Sequence, residues 1–139
     1  MATNTGPAQA STLFRGSQWR KWDLQACTQH YSNYHGLNLP TEQLNTLATL
    51  TGLPKDKINS DHKTVSNEEF ARLYVEYLAS LTDLSVVAIT NHNTGEGIQT
   101  ILDYLAEKAQ QDNSRYRQLQ IFPGVEITAN DKVPSLNCL

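Results

Sequence analysis

An apolar run at residues 86–89 passes without a break into four polar residues at 90–93, and it constrains the fold more than any other feature. A strand buried on both faces shows continuous valine and isoleucine rather than alternation, and such strands belong to parallel sheets covered by helices. In these sheets, ligand-binding residues collect at the carboxyl ends of the strands. The run therefore predicts a buried parallel strand that delivers His92 to a functional edge.

The segments that follow predict a strand-helix-strand unit. Residues 94–97 can cap a helix, because apolar side chains recur at helical spacing over residues 98–109. Residues 119–127 have strand composition, interrupted by a Pro-Gly pair, and carry Glu126 near their end. Crossovers between parallel strands are right-handed in nearly all proteins. We therefore expect His92 and Glu126 on the same rim of the sheet, where imidazole and carboxylate could meet.

The first half of the chain predicts one further strand and two helices. Apolar and polar side chains alternate over residues 22–27, which is typical of a strand. Residues 41–51 predict a short helix, and residues 55–65 a charged, exposed segment. Residues 66–69 match a capping box, and apolar side chains at helical spacing over residues 70–81 predict the most secure helix of the chain.

Length and composition limit the chain to one domain. A chain of 139 residues with 39% hydrophobic content can form one modest core. We expect a disordered leader at residues 1–13, the folded domain at 14–129 and an irregular tail at 130–139. The 11 basic and 14 acidic side chains give a net charge of -3 without clustered Lys or Arg, which argues against sequence-independent nucleic-acid binding.

Two further features indicate the compartment. The longest apolar run is well short of a membrane span, and residues 1–11 are small and polar rather than a secretory signal. The sequence therefore predicts a cytoplasmic protein with no membrane partner. Cys27 and Cys138 lie far apart in sequence and form no metal-like pair, which favours reduced thiols over a disulfide between them.

Three motifs occur in a telling order. The motifs are residues 22–28, 88–93 and 122–127, and the strand-helix-strand unit joins the last two. Together they resemble the PHP domain, the polymerase and histidinol phosphatase family of metal-dependent phosphoesterases. Residues 16–24 are most similar to the PHP domains that precede an AAA or SMC-type ATPase in bacterial, TrlF-like proteins. The resemblance covers residues 14–129. It implies an α/β fold, the first half of a PHP-like (βα)7 barrel, with three parallel strands and covering helices.

The resemblance also implies divalent metal, zinc, manganese or iron, at the strand ends. The first motif of the family carries two histidines two residues apart, and here these positions are Gln25 and Cys27. Residues two apart on a strand share a face, so both would point at one metal. Gln25 is a weak donor, and Cys27 could ligate zinc as a thiolate.

The other two motifs are better preserved. The Thr-Asp-His motif of the family is Thr90-Asn91-His92, which keeps the imidazole and loses a carboxylate, and the Gly-Val-Glu motif is intact as Gly124-Val125-Glu126. His92 and Glu126 are therefore the expected metal ligands, with Cys27 and Gln25 as altered ones. Asp23, Asn91 and Asn93 are the side chains expected to orient this site.

Each site residue also has a plainer interpretation. His92 could be a residue at a helix start whose ring bonds a nearby carbonyl group, and Glu126 could cap a turn or pair with Lys132. Cys27 could be a small buried hydrophobe. The remaining histidines, His30, His35 and His62, are most simply solvated, although His35 lies close to a ligand position of the family. Trp19 and Trp22 are expected in core or barrel-floor packing rather than as a stacking platform.

Two functions remain open from the sequence. One is a PHP-like phosphoesterase module that hydrolyses a phosphate-containing substrate, a phosphate ester or nucleic acid, through a degenerate metal site. The other is a non-catalytic sensor or scaffold that regulates a linked ATPase, with defence against foreign DNA as one setting. Three strands cannot close a barrel. We therefore expect either a truncated form of a longer protein or an ATPase domain or partner protein over the open edge, and no catalysis by this chain alone.

Overall fold

The computed structural model describes residues 20–31, 34–60, 65–111, 114–128 and 137–138. Its elements, in chain order, are β1 (Lys21–Ala26), α1 (Thr41–Thr51), α2 (Lys55–Ile58), α3 (Asn67–Ser80), β2 (Leu84–His92), α4 (Ile98–Gln110), α5 (Ser114–Gln118), β3 (Gln120–Thr128) and β4 (Asn137–Cys138). The helix predicted at residues 41–51 is confirmed, as is the capping box at the start of α3. No helix in the described ranges is long and apolar enough to cross a membrane.

The sheet has the order β1-β2-β3-β4, and the first three strands are parallel. This confirms an α/β fold with three parallel strands and helices between them. Each strand lies beside the one that precedes it in the chain, so the sheet winds in one direction. β4 pairs antiparallel with the end of β3 and is a short strand that the sequence did not predict within the tail.

The main core lies on one face of the sheet, against α3 and α4. β2 alternates in burial, and Val87, Ile89 and Asn91 are completely buried on the helix-covered face. The buried core residues are Ala26, Phe70, Ala71, Tyr74, Val75, Leu78, Leu84, Val87, Ile89, Ile98, Ile101, Leu105, Leu119 and Ile121. A second cluster holds α1 and α2 against the outer side of α3, so among the described residues the helices build layers on a single side.

The opposite side of the sheet carries apolar side chains that the described part of the chain leaves exposed. Trp22, Leu24 and Phe122 are 63%, 59% and 52% exposed, and Val86 and Ala88 beside them are half-buried. We call this side, defined by these five residues, the open face. Trp22 belongs to neither core cluster, so the prediction of core packing is wrong for this side chain, whereas barrel-floor packing stays a prediction. Trp19 lies outside the described residues.

A β-bulge changes the alternation expected for β1. Trp22 pairs with Val86 and Asp23 with Val87, whereas Ala26 pairs with Ile89, so the register shifts between Asp23 and Ala26. A bulge places one extra residue in a strand and moves later side chains to the other face. Ala26 therefore joins the helix-covered core instead of sharing a face with Trp22.

The segment predicted to be charged and exposed from residue 55 is partly buried. Its first residues form α2, and Ile58 at the end of this helix is only 1% exposed, packed with Leu47 and Leu73. Pro54 precedes the helix, where the absence of a backbone N–H costs nothing, so a short helix forms despite its charged composition. Residues 61–64, including His62, lie outside the described residues.

A buried carboxylate ties three helices together. Glu76 of α3, 5% exposed, accepts hydrogen bonds from the hydroxyl groups of Tyr104 (3.1 Å) and Tyr116 (2.7 Å), and it pairs with Lys108 Nζ at 3.2 Å. Burial and the nearby Glu76 charge raise the pKa values of both tyrosines, so the hydroxyl groups stay protonated and donate. The contacts fix α4 and α5 on α3, and thereby the crossover from β2 to β3.

We expect Glu76→Ala to lower the free energy of unfolding by about 3 kcal/mol, because it leaves two tyrosine hydroxyl groups and an ammonium group without their shared acceptor. Urea unfolding followed by circular dichroism measures this loss. Glu107→Ala, at an exposed position of α4, serves as the control and should change stability by less than about 0.5 kcal/mol. Equal effects of the two substitutions would contradict the role given to Glu76.

Candidate functional site

The carboxyl ends of β2 and β3 place His92 beside Glu126. The two residues are direct partners in the parallel register, in a ladder that runs unbroken from Val86 and Gln120. Paired residues of neighbouring strands share a face, and Thr90 and Gly124, two residues back, are also partners. The imidazole and carboxylate predicted from the sequence to meet are thus neighbours at one rim, on the same side as the open face.

Close packing at Gly124 makes this register feasible. A Cβ atom at Gly124 would lie 3.1 Å from the carbonyl oxygen of Ile89 and 3.2 Å from the Thr90 side chain. A larger residue would push β3 away from β2 directly below the His92–Glu126 pair. Pro123 and Gly124, which interrupt the strand pattern in the sequence, therefore lie inside β3, and Gly124 lets β3 pair closely with β2.

Asn93 closes the rim with its backbone and its side chain. It has a positive φ of 55°, which asparagine tolerates better than most residues, and its N–H donates to the carbonyl oxygen of Glu126 at 2.7 Å. Its side-chain nitrogen lies 3.3 Å from Nε2 of His92. A histidine nitrogen that accepts this hydrogen bond directs its lone pair at Asn93, so a metal at Nε2 would require the amide to turn away.

Cys27 lies near this pair at the end of β1. Burial, followed by the negative charges of Glu126 and Asp23, raises the pKa of the Cys27 thiol. At neutral pH Cys27 is therefore a thiol rather than a thiolate, and a metal would have to displace its proton.

Asn91 does not face His92 but anchors the loop after β1. It is fully buried, its side-chain oxygen accepts from the Thr28 N–H at 2.8 Å, and its side-chain nitrogen donates to the Thr28 hydroxyl at 2.7 Å. These two bonds fix the backbone immediately after Cys27. Asn91 lies on the opposite face of β2 from His92. From there it fixes the loop that carries Cys27, another candidate ligand.

His30 makes contacts that sequence reasoning missed. Its Nε2 lies 2.7 Å from Oδ1 of Asn67, at the start of α3, and its Nδ1 lies 3.5 Å from the Glu96 carboxylate. The expectation that His30 is simply solvated is wrong, because its side chain is only 13% exposed. Gly97 allows this approach, since a Cβ there would lie 2.9 Å from the ring. Nothing in the local pattern signals a contact that joins the loop after β1 to the start of α3 and to the loop before α4.

The other predicted site residues lie apart from the pair. Gln25 is exposed, and its backbone N–H donates to the Asp23 carboxylate at 3.1 Å, so Asp23 supports the bulge. His35 is exposed in the loop before α1. Lys132, the alternative partner of Glu126, lies outside the described residues. Within the described part of the chain, no three His, Cys, Asp or Glu side chains come together in a group that could hold a metal ion.

Comparison with protein-family models, with curated proteins and with solved structures found no match to this chain. The site is therefore described by its own geometry. An imidazole on β2 and a carboxylate on β3 lie side by side, and a protonated thiol directly follows β1.

We expect Asn91→Ala to lower the free energy of unfolding by about 3 kcal/mol, because it removes two buried hydrogen bonds and leaves the Thr28 N–H without an acceptor. Chemical denaturation measures the change, and a cycle with Thr28→Val should give a coupling energy above about 0.5 kcal/mol. Asn45→Ala, at an exposed position of α1, is the matched control. If Asn91→Ala costs no more than Asn45→Ala, the anchoring role is wrong.

The raised pKa of Cys27 predicts slow alkylation near neutral pH and a rate that climbs in the alkaline range, because only the thiolate reacts. The measurement is iodoacetamide modification against pH in a Cys138→Ser background, which leaves one thiol. Glu126→Gln removes a negative charge and should lower the Cys27 pKa, so that modification becomes faster. Glu96→Gln should leave the profile unchanged, and a profile that ignores Glu126→Gln would show that the two groups are not neighbours.

Proposed function

We propose that this chain is a degenerate PHP-like phosphoesterase module, with His92 and Glu126 as its remaining metal-binding pair. The observation that carries the proposal is their direct pairing at the carboxyl ends of adjacent parallel strands. Function in parallel α/β sheets gathers at this edge. The resemblance in residues 22–28, 88–93 and 122–127 supplies the chemical class.

The winding of the sheet supports a partial barrel. Sequential parallel strands with the described helices on one side are typical of a (βα) barrel, whereas doubly wound sheets carry helices on both sides. The apolar side chains of the open face, Trp22, Leu24 and Phe122, occupy the side that would line a barrel interior. An ATPase domain or another partner protein over the open edge would complete the fold.

The donor set fits a divalent metal only in part. His92 and Glu126 are suitable ligands for zinc, manganese or iron, but a stable catalytic site has three or more protein ligands. Cys27 is protonated near neutral pH, and Gln25 is a weak donor. A bound metal would polarise a phosphoryl oxygen and activate water. His92 and Glu126 would hold such a group, and the ladder beside Gly124 sets their two strand positions side by side, whereas the Asn93 amide would have to turn away from Nε2.

A non-catalytic scaffold is the second candidate, and the two-donor site favours it for this chain alone. In that case the same rim is a structural remnant, and the module regulates a linked ATPase, with defence against foreign DNA as one setting. The two candidates differ in metal content, which makes them separable by one set of measurements.

Replacement of the altered ligands is the test. Gln25→His with Cys27→His restores the first ligand motif of the family, and we expect Zn²⁺ or Mn²⁺ affinity to rise at least about tenfold. The measurements are calorimetric titration and elemental analysis of zinc, manganese and iron after purification. The matched control carries the same substitutions with His92→Ala, which should abolish the gain.

Stoichiometric metal in the unaltered chain that disappears in His92→Ala, with hydrolysis of a generic aryl phosphate, would exclude the scaffold. A metal-free chain that is inert toward the aryl phosphate would exclude the enzyme. If the restored variant binds metal no more tightly than the unaltered chain, the proposed ligand set is wrong.

A further inference from the structure

A cavity of about 560 Å³ opens at the amino ends of the strands, at the rim opposite His92 and Glu126. One row of the sheet lines it, because Trp22 pairs with Val86 and Val86 pairs with Gln120. The volume lies within the roughly 300 to 1,000 Å³ of small-molecule sites. The described part of the chain thus has a second concave site, which the candidate metal pair does not use.

Two guanidinium groups line this cavity, and no acidic side chain does so among the residues that the structure describes. Nη1 of Arg20 donates to Oγ of Ser85 at 3.3 Å. Nε of Arg117 donates to the carbonyl oxygen of Ala109 at 2.9 Å. A guanidinium group has five N–H donors. Because both of these acceptors are neutral oxygen atoms, the two bonds orient the guanidinium groups without cancelling their charge.

The charge of Arg20 also acts on a third guanidinium group. Burial, and then the charge of Arg20, lower the pKa of Arg115, whereas the charge of Asp83 raises it. An anion bound beside Arg20 would offset this repulsion between like charges. The electrostatics at the amino ends of the strands therefore favour a negatively charged ligand.

Trp22 supplies a flat apolar surface at one end of the cavity. Its side chain is 63% exposed, and two strand spacings, about 10 Å, separate it from Gln120 on β3. An indole ring that is open to water can stack on a nucleobase. Gln118 and Gln120 add carboxamide groups, which both donate and accept hydrogen bonds. The cavity thus combines a stacking surface with two cations and two amides.

We propose that this cavity binds a nucleoside monophosphate, with its base stacked on Trp22 and its phosphate held by Arg20 and Arg117. The planar fork of a guanidinium group matches the oxygen atoms of a phosphate. The carboxamide groups of Gln118 and Gln120 bond the oxygen atoms of the ribose. A nucleic-acid strand fits less well, because its backbone requires clustered basic residues, and this chain has a net charge of -3.

Isothermal titration calorimetry of the full chain, at low salt and in a chelator, tests the proposal with three probes. These are adenosine monophosphate, adenosine and inorganic phosphate. Because the cavity is open to water, we expect a dissociation constant of roughly 0.1 to 1 mM for adenosine monophosphate. Adenosine and inorganic phosphate should each bind at least about tenfold more weakly, since each makes only half of the contacts.

Substitution of Arg117 tests the phosphate contact. Arg117→Gln should weaken adenosine monophosphate at least about fivefold and leave adenosine unchanged, because only the nucleotide carries the phosphate. Arg117→Lys keeps the charge and should retain part of the affinity. Lys55→Gln is the matched control, since it removes the same charge at an exposed position of α2. It should leave the binding of all three probes unchanged.

Substitution of Trp22 tests the stacking contact. Trp22→Ala should weaken adenosine monophosphate and adenosine alike, at least about fivefold, and Trp22→Phe should preserve both because it keeps an aromatic ring. Leu50→Ala is the matched control, because Leu50 is similarly exposed, at 58%, but lies on α1 away from the sheet. Circular dichroism of each variant checks that the fold is intact.

A chain that binds no adenosine monophosphate at millimolar concentration overturns the proposal. So does inorganic phosphate or adenosine that binds as tightly as the nucleotide, or nucleotide binding that neither Arg117→Gln nor Trp22→Ala weakens. The nucleotide titrations contain no metal, and the metal titrations of the proposed function contain no nucleotide. A failure of one set therefore leaves the other untouched.

Discussion

The parallel pairing of β2 with its two neighbours is the constraint on which the rest of the structure depends. β2 is the central strand of the three, so its register with β1 and β3 fixes what lies at the carboxyl rim. Its helix-covered face supplies Val87 and Ile89 to the core, and its opposite face carries His92 to Glu126. One strand thus couples the stability of the fold to the geometry of the candidate site.

The two faces of this strand have opposite physical characters. On one, burial is complete, and even the polar Asn91 has both ends of its amide bonded to Thr28. On the other, the apolar residues of the open face meet water. Because hydrophobic burial stabilises folds in proportion to the area removed from water, covering the open face would add to the stability of the chain.

Much of the fold was predictable from local pattern. Helical spacing placed α1, α3 and α4, the capping box marked the start of α3, and the apolar run gave β2. The pairing of His92 with Glu126 was predictable too, because parallel strands bring their carboxyl ends to one edge. The bulge in β1 and the burial of Ile58 were not, because both depend on contacts with distant elements.

By itself, the sequence determined the order of helices and strands and the edge at which chemistry is concentrated. Hydrophobic periodicity and backbone preference act within a few residues, so local sequence is enough to predict the elements that they produce. Only the tertiary structure decided that Asn91 turns to Thr28 and that His30 joins Asn67 and Glu96. It also decided that the described residues leave apolar side chains exposed on one side of the sheet. These are side-chain contacts between residues far apart in sequence, and no local pattern encodes which distant group a polar side chain will meet.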